Sequence, residues 1–315
     1  MTAPEFLVVG AGVSGLACAR ELLDAGRSVV VRDRAGVGGR AKTAEIGGRP
    51  VDVGAAYFTA NVPMFTGVVE QWLERQLVIP WTDTFHVATP DGVVGTRSGP
   101  MRYVAPGGVC TLVSAMAEGL DVRADSAVGQ VSAAEADGVS YTGVAVAAPS
   151  PQALAVLDEP LDAESEAAAA VFDPCVVLVL EYANRTWPEL DACFVNDSAV
   201  LTFVVDDGRR QGDDHPVLVA HTSSVLAAAH LGQPERSVDP VLAELRECLG
   251  TSADPTSAAV FGWPHAKPRH PATTPFFLGS KGVGLCGDAW HAPSRLESAF
   301  LSGRALGHAM HGASR

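Results

Sequence analysis

Six residues, Gly10-Ala11-Gly12-Val13-Ser14-Gly15, limit the fold more than any other feature of the chain. They follow the apolar run from Phe6 to Val9 and open the stretch from Val13 to Ala25, where Leu16, Ala19, Leu22 and Leu23 recur at helical spacing. Glycines at the first, third and sixth positions allow a tight turn, a close approach of backbone to a ligand, and close packing of helix on strand. The backbone N–H groups of Gly10, Gly12, Val13, Ser14 and Gly15 are then gathered at the positive end of a helix, where a pyrophosphate is stabilised. Ser28 to Asp33 reads as a second strand. Asp33 closes it 18 residues beyond Gly15, near the offset of about 20 residues at which an acid meets ribose hydroxyls. A glycine turn that binds nothing would require neither the acid nor the flanking strand and helix, so an adenine dinucleotide is expected.

Gly38-Gly39-Arg40 bears on which dinucleotide it is. In two-domain flavoproteins resembling monoamine oxidase, such a Gly-Gly-Arg sets a guanidinium against the FAD pyrophosphate, where its bidentate fork is effective. A plain NAD dehydrogenase has no need of it, although a solvated arginine on a glycine turn would look the same. Near the other end, Gly287-Asp288 follows a short apolar run and precedes a helix starting around Arg295, Leu296 and Glu297. The pair reads as a second FAD motif, with Asp288 on ribityl or pyrophosphate-proximal hydroxyls and the helix N-terminus stabilising negative charge on reduced flavin.

With 47% hydrophobic and 18% charged residues, the 315-residue chain reads as globular and large enough for two lobes. A formal charge of −14 argues against a nucleic-acid or anionic-membrane surface, since both need clustered Lys and Arg. Six cysteines, at 18, 110, 175, 193, 248 and 286, show no C-x-x-C spacing, which predicts free, mostly buried thiols and a cytoplasmic location. Met1 to Glu5 lacks the basic start of a leader segment, and no apolar run approaches a membrane-spanning length. Among the histidines, His215, His221, His230, His270 and His291 have no ligand-like pairing, so no metal site is expected. His291 reads as a loop histidine satisfied by backbone, and Cys286 as packed in its strand.

Helical spacing recurs at Phe65, Val68, Val69, Trp72 and Leu73, and at Val109, Leu112, Val113 and Met116. Trp81 to Tyr103 suits several short antiparallel strands, as do Val128 to Val131, Val139 to Tyr141 and Val144 to Ala147. Asp162 to Val171, alanine-rich and free of glycine, predicts a helix. Cys175 to Glu181, Ala199 to Val205, Val217 to His221 and Ala258 to Trp263 suggest a second sheet, with helices near Val225 and from Val241 to Leu249. The expected fold is therefore α/β: a doubly wound Rossmann-like FAD-binding domain with an inserted mixed α+β substrate domain, in the manner of monoamine oxidase and p-hydroxybenzoate hydroxylase. The FAD-binding domain is expected to take residues 1–58, 104–158 and 275–315, and the substrate domain 59–103 and 159–274.

Taken together, the segments resemble one family, the renalase-like branch of FAD-dependent oxidoreductases with the amine-oxidase fold. The resemblance runs almost the whole chain. It rests on Val53-Gly54-Ala55-Ala56-Tyr57-Phe58-Thr59-Ala60, Arg102-Tyr103-Val104, Ala148-Pro149-Ser150-Pro151-Gln152-Ala153, Pro174-Cys175, Phe194-Val195-Asn196-Asp197-Ser198, Trp263, Cys286-Gly287-Asp288 and Glu297-x-Ala299-Phe300-Leu301-Ser302-Gly303. It implies FAD held without a covalent bond, with Arg34, Gly39, Arg40, Gly54, Ala55, Ala56, Val128, Gly287, Asp288, Arg295, Leu296, Glu297 and Ala299 joining the N-terminal glycines and Asp33 in the cofactor site. It also implies oxidation of an isomeric dihydro-NAD(P) to NAD(P)+, with O2 reduced to H2O2. Such a step removes hydride and leaves an aromatic pyridinium, so it needs positioning rather than a general base.

Tyr57, Trp263 and His265 are the candidates to line the flavin face. Aromatic core residues would account for the first two equally well, and a structural or solvent-facing histidine for the third. Ala56 stands where the family often has Gln, and His265-Ala266 where it often has Tyr-Ala. Asp207-Gly208-Arg209-Arg210-Gln211 replaces a Lys-Pro-Gly-Arg stretch, with Arg209 or Arg210 left to meet a phosphate. The competing readings are an amine oxidase, for which four tyrosines suggest no aromatic cage, a desaturase or mutase on the same cofactor motifs, and a non-catalytic FAD-binding protein. The expected partners are a small substrate, dihydronicotinamide dinucleotide or amine, and O2, with a monomer favoured.

Overall fold

The computed structural model describes residues 4–158 and 161–313. Residues 1–3, 159–160 and 314–315, which fall at the edges of the expected domain ranges, lie outside the described residues. Strand β1 (Phe6–Val9), helix α1 (Val13–Asp24) and strand β2 (Val29–Arg32) follow in the predicted order. β1 runs between β2 and the strand Gly143–Val146, parallel to both, with Leu7 opposite Val30 and Val144. Outside these, Asp121–Arg123 joins β2 and Val283–Leu285 joins Gly143–Val146, again in parallel, while Phe277–Leu278 closes one edge antiparallel. Strands covered on both faces need unbroken apolar runs, which Phe-Leu-Val-Val and Gly-Val-Ala-Val supply. Phe6, Val8 and Val31 pack under Leu16, Leu22, Leu306 and Met310, and Leu7, Val30 and Val144 pack against Leu157 and Trp290 on the other side.

The closing helix, Leu296–Ala313, lies directly on α1. Two of its glycines explain how close it comes. A β-carbon on Gly303 would sit 1.9 Å from the Ser14 carbonyl oxygen, and one on Gly307 would sit 2.7 Å from that of Cys18.

A second sheet of eight strands follows the order Ser257–Pro268, Phe172–Glu181, Val217–Thr222, Leu201–Asp206, Ala192–Val195, Ile79–Thr89, Gly92–Val104, Phe58–Thr59. One of its faces carries Val176, Leu178, Leu180 and Leu218 beneath Val241, Leu245 and Leu249 of the helix Val238–Leu249. The other carries Val177, Val179, Val205 and Val219, which meet Val51, Val53 and Ala56 from the first lobe. This second face is covered by a separate two-stranded sheet, Thr43–Ile46 with Arg49–Asp52, and the segment that follows it.

The chain departs from the sequence reading in two places, and a third segment takes a form that reading left unassigned. Trp81 to Tyr103 forms one long hairpin, Ile79–Thr89 with Gly92–Val104, rather than several short strands, because register shifts between Pro80/Thr82, Thr82/Thr84 and Val87/Ala88 absorb its irregular residues. Val128 lies outside any strand; the pairing starts at Val131, and the Val128 side chain is buried among Leu7, Val30 and Val131. The segment Asp207–Gln211 is a short helix, capped by the Asp206 carboxylate accepting from Arg209 N.

Candidate functional site

At the carboxyl end of β1 the three glycines do three different things. Gly10 turns with φ +109°, and a β-carbon there would lie 2.6 Å from the Ala147 carbonyl oxygen. On Gly15 a β-carbon would lie 1.9 Å from the Gly10 carbonyl oxygen, so this glycine lets α1 sit against the turn. On Gly12 it would meet only the α-carbon of Gly39, at 4.0 Å. The backbone around Gly12 is thus bare for a ligand, and it faces the Gly38–Arg40 loop. No side chain caps the first turn of α1, and the buried Ser14 hydroxyl there has no hydrogen-bond partner. These features, with free N–H donors at a helix N-terminus, fit the pyrophosphate of FAD.

Asp33 sits beside this turn, its carboxylate accepting from the backbone N–H groups of Ala11 (2.8 Å), Ala35 (2.8 Å) and Gly36 (2.9 Å). It braces the glycine turn. Arg34 is exposed next to it.

Arg40 and Asp288, far apart in the chain, are adjacent. Arg40 donates to both Asp288 oxygens, through NH1 at 3.0 Å and through NH2, and also to the Ala266 carbonyl at 3.0 Å. Ser294 holds the same carboxylate at 2.6 Å. Gly287, at φ +149°, has open space where a β-carbon would project, and its N–H donates to the buried Ser302 hydroxyl. Ala55 N donates to the Arg40 carbonyl, and a β-carbon on Gly54 would strike that oxygen at 2.0 Å, so the 54–57 segment is drawn against the Arg40 loop.

Among the remaining cofactor candidates, Leu296 and Ala299 pack into the core beside α1, and Arg295 is exposed on the side of Tyr57. The Glu297 carboxylate is committed elsewhere. It accepts from Asn61 N and Val62 N, both at 2.7 Å, at the start of the helix Pro63–Glu74. Its role is to tie the last helix to that one and to offset the positive end of its dipole.

The three candidate catalytic residues separate. Tyr57 and Trp263 pack on the same apolar cluster between the sheets, whereas His265 lies 6.2 Å from the Phe172 ring, on the Arg40 side. Burial together with the Arg40 and Arg34 charges lowers the His265 pKa and keeps the ring neutral. Trp263 Nε1 donates to the Val53 carbonyl at 2.7 Å, which fixes its plane.

Around Tyr57 an aromatic group closes that the tyrosine count did not reveal. Phe85 is 5.2 Å from Tyr57, Phe203 is 5.8 Å and Trp81 is 6.2 Å, with Phe194 behind Phe85 at 5.5 Å. Arg102 enters this group, its guanidinium carbon 3.7 Å over the Phe85 ring and 5.8 Å from that of Tyr57. Burial raises the Tyr57 pKa, against the opposing pull of Arg102 and Arg295. His221 stands 5.8 Å from Phe203 with a buried, unpartnered Nε2.

Burial brings the His221 pKa down to about 4. Between that value and its ordinary 6.5 the unfolded chain binds a proton that the folded chain refuses, so stability is full above about pH 6.5 and declines as pH falls toward 4. At about 1.4 kcal/mol per unit this amounts to about 3 kcal/mol. Urea unfolding at pH 7 and pH 4.5 is expected to show the loss, and the H221F variant to lose less between those two values.

Arg209 and Arg210 do not serve a phosphate. Arg209 is bound by Glu189 (2.8 Å) and Asp191 (3.3 Å), and buried Arg210 by Asp52 (2.7 Å) and Asp207 (2.6 Å). Arg49 extends the second set by pairing with Asp207 and Asp213. His291 also differs from its reading, because its buried Nδ1 has no hydrogen-bond partner. The cysteines are free, four buried and two partly so. Among the described residues, one group has ligand atoms within 4.8 Å of one another, Glu21 with His308 and His311 on the outer surface; the i, i+3 histidine spacing was its only trace in the sequence.

Two sequence families match. The profile of the NAD(P)-binding Rossmann-like domain covers residues 8–72, and that of flavin containing amine oxidoreductase covers residues 93–306. A protein of Mycobacterium tuberculosis (strain CDC 1551 / Oshkosh), provisionally named flavin-containing monoamine oxidase AofH, is 48% identical over 83 residues. That stretch is 25% of this chain and spans 17% of the relative's length. A solved structure from Exiguobacterium sp. 255-15, provisionally named a protoporphyrinogen oxidase, superposes with TM-score 0.80 at 13% identity, covering 99% of this chain and all of that one. A putrescine oxidase variant superposes with TM-score 0.76 at 17% identity over 98% and 99% of the two chains. Among the described residues, no helix is long and apolar enough to cross a membrane.

Proposed function

From the premise that the chain belongs to the flavin-containing amine oxidoreductase family, and is an FAD-dependent oxidoreductase on that fold, we propose that it removes hydride from the ring of a small planar substrate. The substrate proposed is an isomeric (2- or 6-) dihydro-NAD(P), oxidised to NAD(P)+ with O2 reduced to H2O2, the renalase-like reaction. The observation that carries this reading is the surroundings of Tyr57: aromatic rings from three strands, with Arg102 and Arg295 as its charged neighbours. A flat ring stacks there, and an ammonium ion is repelled.

Bound FAD supplies the two-electron acceptor, held without a covalent bond by the Gly10–Gly15 turn, Asp33, Arg40 and Asp288. Tyr57 orients the substrate, and Trp263, fixed on Val53, holds the neighbouring wall. No proton has to leave, since loss of hydride alone makes the ring aromatic. Neutral His265 sits by Arg40 and tunes the cofactor side rather than acting as a base. We assign the lobes as 1–58, 104–158 and 275–315 for FAD and 59–103 and 159–274 for substrate; in support, the strands of the two larger sheets fall on either side of this division except at Phe58 and Val104, which belong to the second sheet. A cytoplasmic monomer is the form we assign to it.

Oxidation of a neutral amine at its C–N bond is the second reading. It is favoured by the family itself and by the aromatic group, and the structural relative named above is a putrescine oxidase. Anaerobic addition of isomeric dihydro-NAD to the holoenzyme is expected to bleach the visible flavin bands. An oxidised flavin that ignores it but is bleached by amines would replace the first reading with the second.

A further inference from the structure

Two arginines are buried among the described residues, Arg102 at 6% exposure and Arg210 at 4%, and they are treated in opposite ways. Arg210 has two carboxylates. Arg102 has none: its guanidinium lies over the Phe85 face and shares a hydrogen bond with the Tyr57 side chain, while its NH1 is buried without a hydrogen-bond partner. Taking a guanidinium out of water is costly unless a counter-charge compensates. Ring faces offset only part of that cost.

A second donor shares the deficit. Trp81, whose ring lies 5.2 Å from that of Phe85, has a buried Nε1 with no partner. Arg NH and indole NH donate and cannot accept, so what both lack is an acceptor. The two stand on the same phenyl ring, in the aromatic group around Tyr57.

We propose that Arg102, seconded by Trp81 Nε1, recognises an anionic group of the substrate, a carboxylate or a phosphate. This rests on the reading of the Tyr57 face as the substrate site and narrows its substrate class to hydride donors that carry a negative charge. Simple alkylamines fall outside that class, whereas a nucleotide or a carboxylic acid falls within it. The charge-assisted pair forms only when substrate is bound, and the unpaired guanidinium of the free enzyme favours an anionic ligand over a neutral one.

The test needs no turnover, so a failed oxidation of dihydro-NAD leaves it intact. The holoenzyme is titrated with benzoate, benzamide and inorganic phosphate, and binding is read from the shift of the flavin absorbance and by calorimetry. Benzoate or phosphate is expected to bind at least about 10-fold tighter than neutral benzamide, a difference of about 1.4 kcal/mol. Preference for benzoate identifies a carboxylate and preference for phosphate a phosphoryl group. The R102Q variant, checked for unchanged FAD content, is expected to lose the anion preference while keeping benzamide binding, and R102K to keep part of it. Equal binding of benzoate, phosphate and benzamide by the unmodified protein, or an anion preference that survives in R102Q, overturns the proposal.

Discussion

The G15A variant is expected to emerge without bound FAD. A β-carbon at this position lies 1.9 Å from the Gly10 carbonyl oxygen and 3.0 Å from its carbon, both backbone atoms of the adjoining turn. Neither can move aside alone, so α1 must shift by more than an ångström relative to β1. That shift misplaces the helix N-terminus whose N–H groups we assign to the pyrophosphate. A loss of at least about 100-fold in FAD affinity, roughly 2.7 kcal/mol, is expected. It is measured as flavin absorbance retained through gel filtration and by titration of the apoprotein with FAD. G12A supplies the contrast: its β-carbon would find only Gly39, at 4.0 Å, so the fold is kept and any weakening reports the ligand contact itself. Full flavin occupancy in G15A would show that the turn tolerates displacement and would remove the glycine geometry from the account of binding.

The R210A variant is expected to lose about 3–5 kcal/mol of stability, the range for breaking a buried ion pair from one side. The Arg210 guanidinium donates to Asp52 at 2.7 Å and to Asp207 at 2.9 and 2.6 Å, and all three side chains are almost wholly buried. Asp52 also accepts from Thr43 Oγ1 and Val109 N, so it stays in place when the arginine is gone and keeps its charge out of water. Arg49 still answers Asp207, whereas among the described residues no other cation pairs with Asp52. Urea denaturation of the holoenzyme gives the measurement. The D52N change made on top of R210A is expected to recover part of the loss, because the stranded charge is removed. A cost under about 1 kcal/mol in R210A would mean that water reaches Asp52 freely, as at an exposed pair.

What could be read in the sequence was what is written locally. The glycine turn, Asp33, α1 and the closing helix rest on spacing within about 20 residues, the scale on which such motifs are defined. Each stands where the spacing put it. The pairing of Arg40 with Asp288 joins two motifs that were legible separately, but their contact was not, since they stand 248 positions apart. The Tyr57 aromatic group was hidden for the same reason. Trp81 and Phe85 come from one strand, Phe203 from another and His221 from a third, and only the eight-stranded sheet turns them to one face. Alternation along each strand hinted at a buried side without saying what it would meet.

Arg209 and Arg210 show the opposite error. Adjacent arginines in a glycine-containing segment resemble a phosphate contact, and only the carboxylates that fold against them, 3 to 158 positions away, reveal that both are taken. Glu297 is similar, since its place beside the flavin motif gives no sign that its oxygens are spent on the loop at 61–62.

The crossing of α1 by the closing helix also has a consequence for the order of events on the ribosome. Ser14 and Cys18 are shielded by Gly303 and Gly307, residues made almost three hundred positions later. Until those glycines emerge, the helix that begins the cofactor turn lies bare along one side, and Asp288 has only just been added opposite Arg40. The glycine turn is thus synthesised long before the helix that covers its flank, and its packing is expected to be completed only once residues 303–307 are in place.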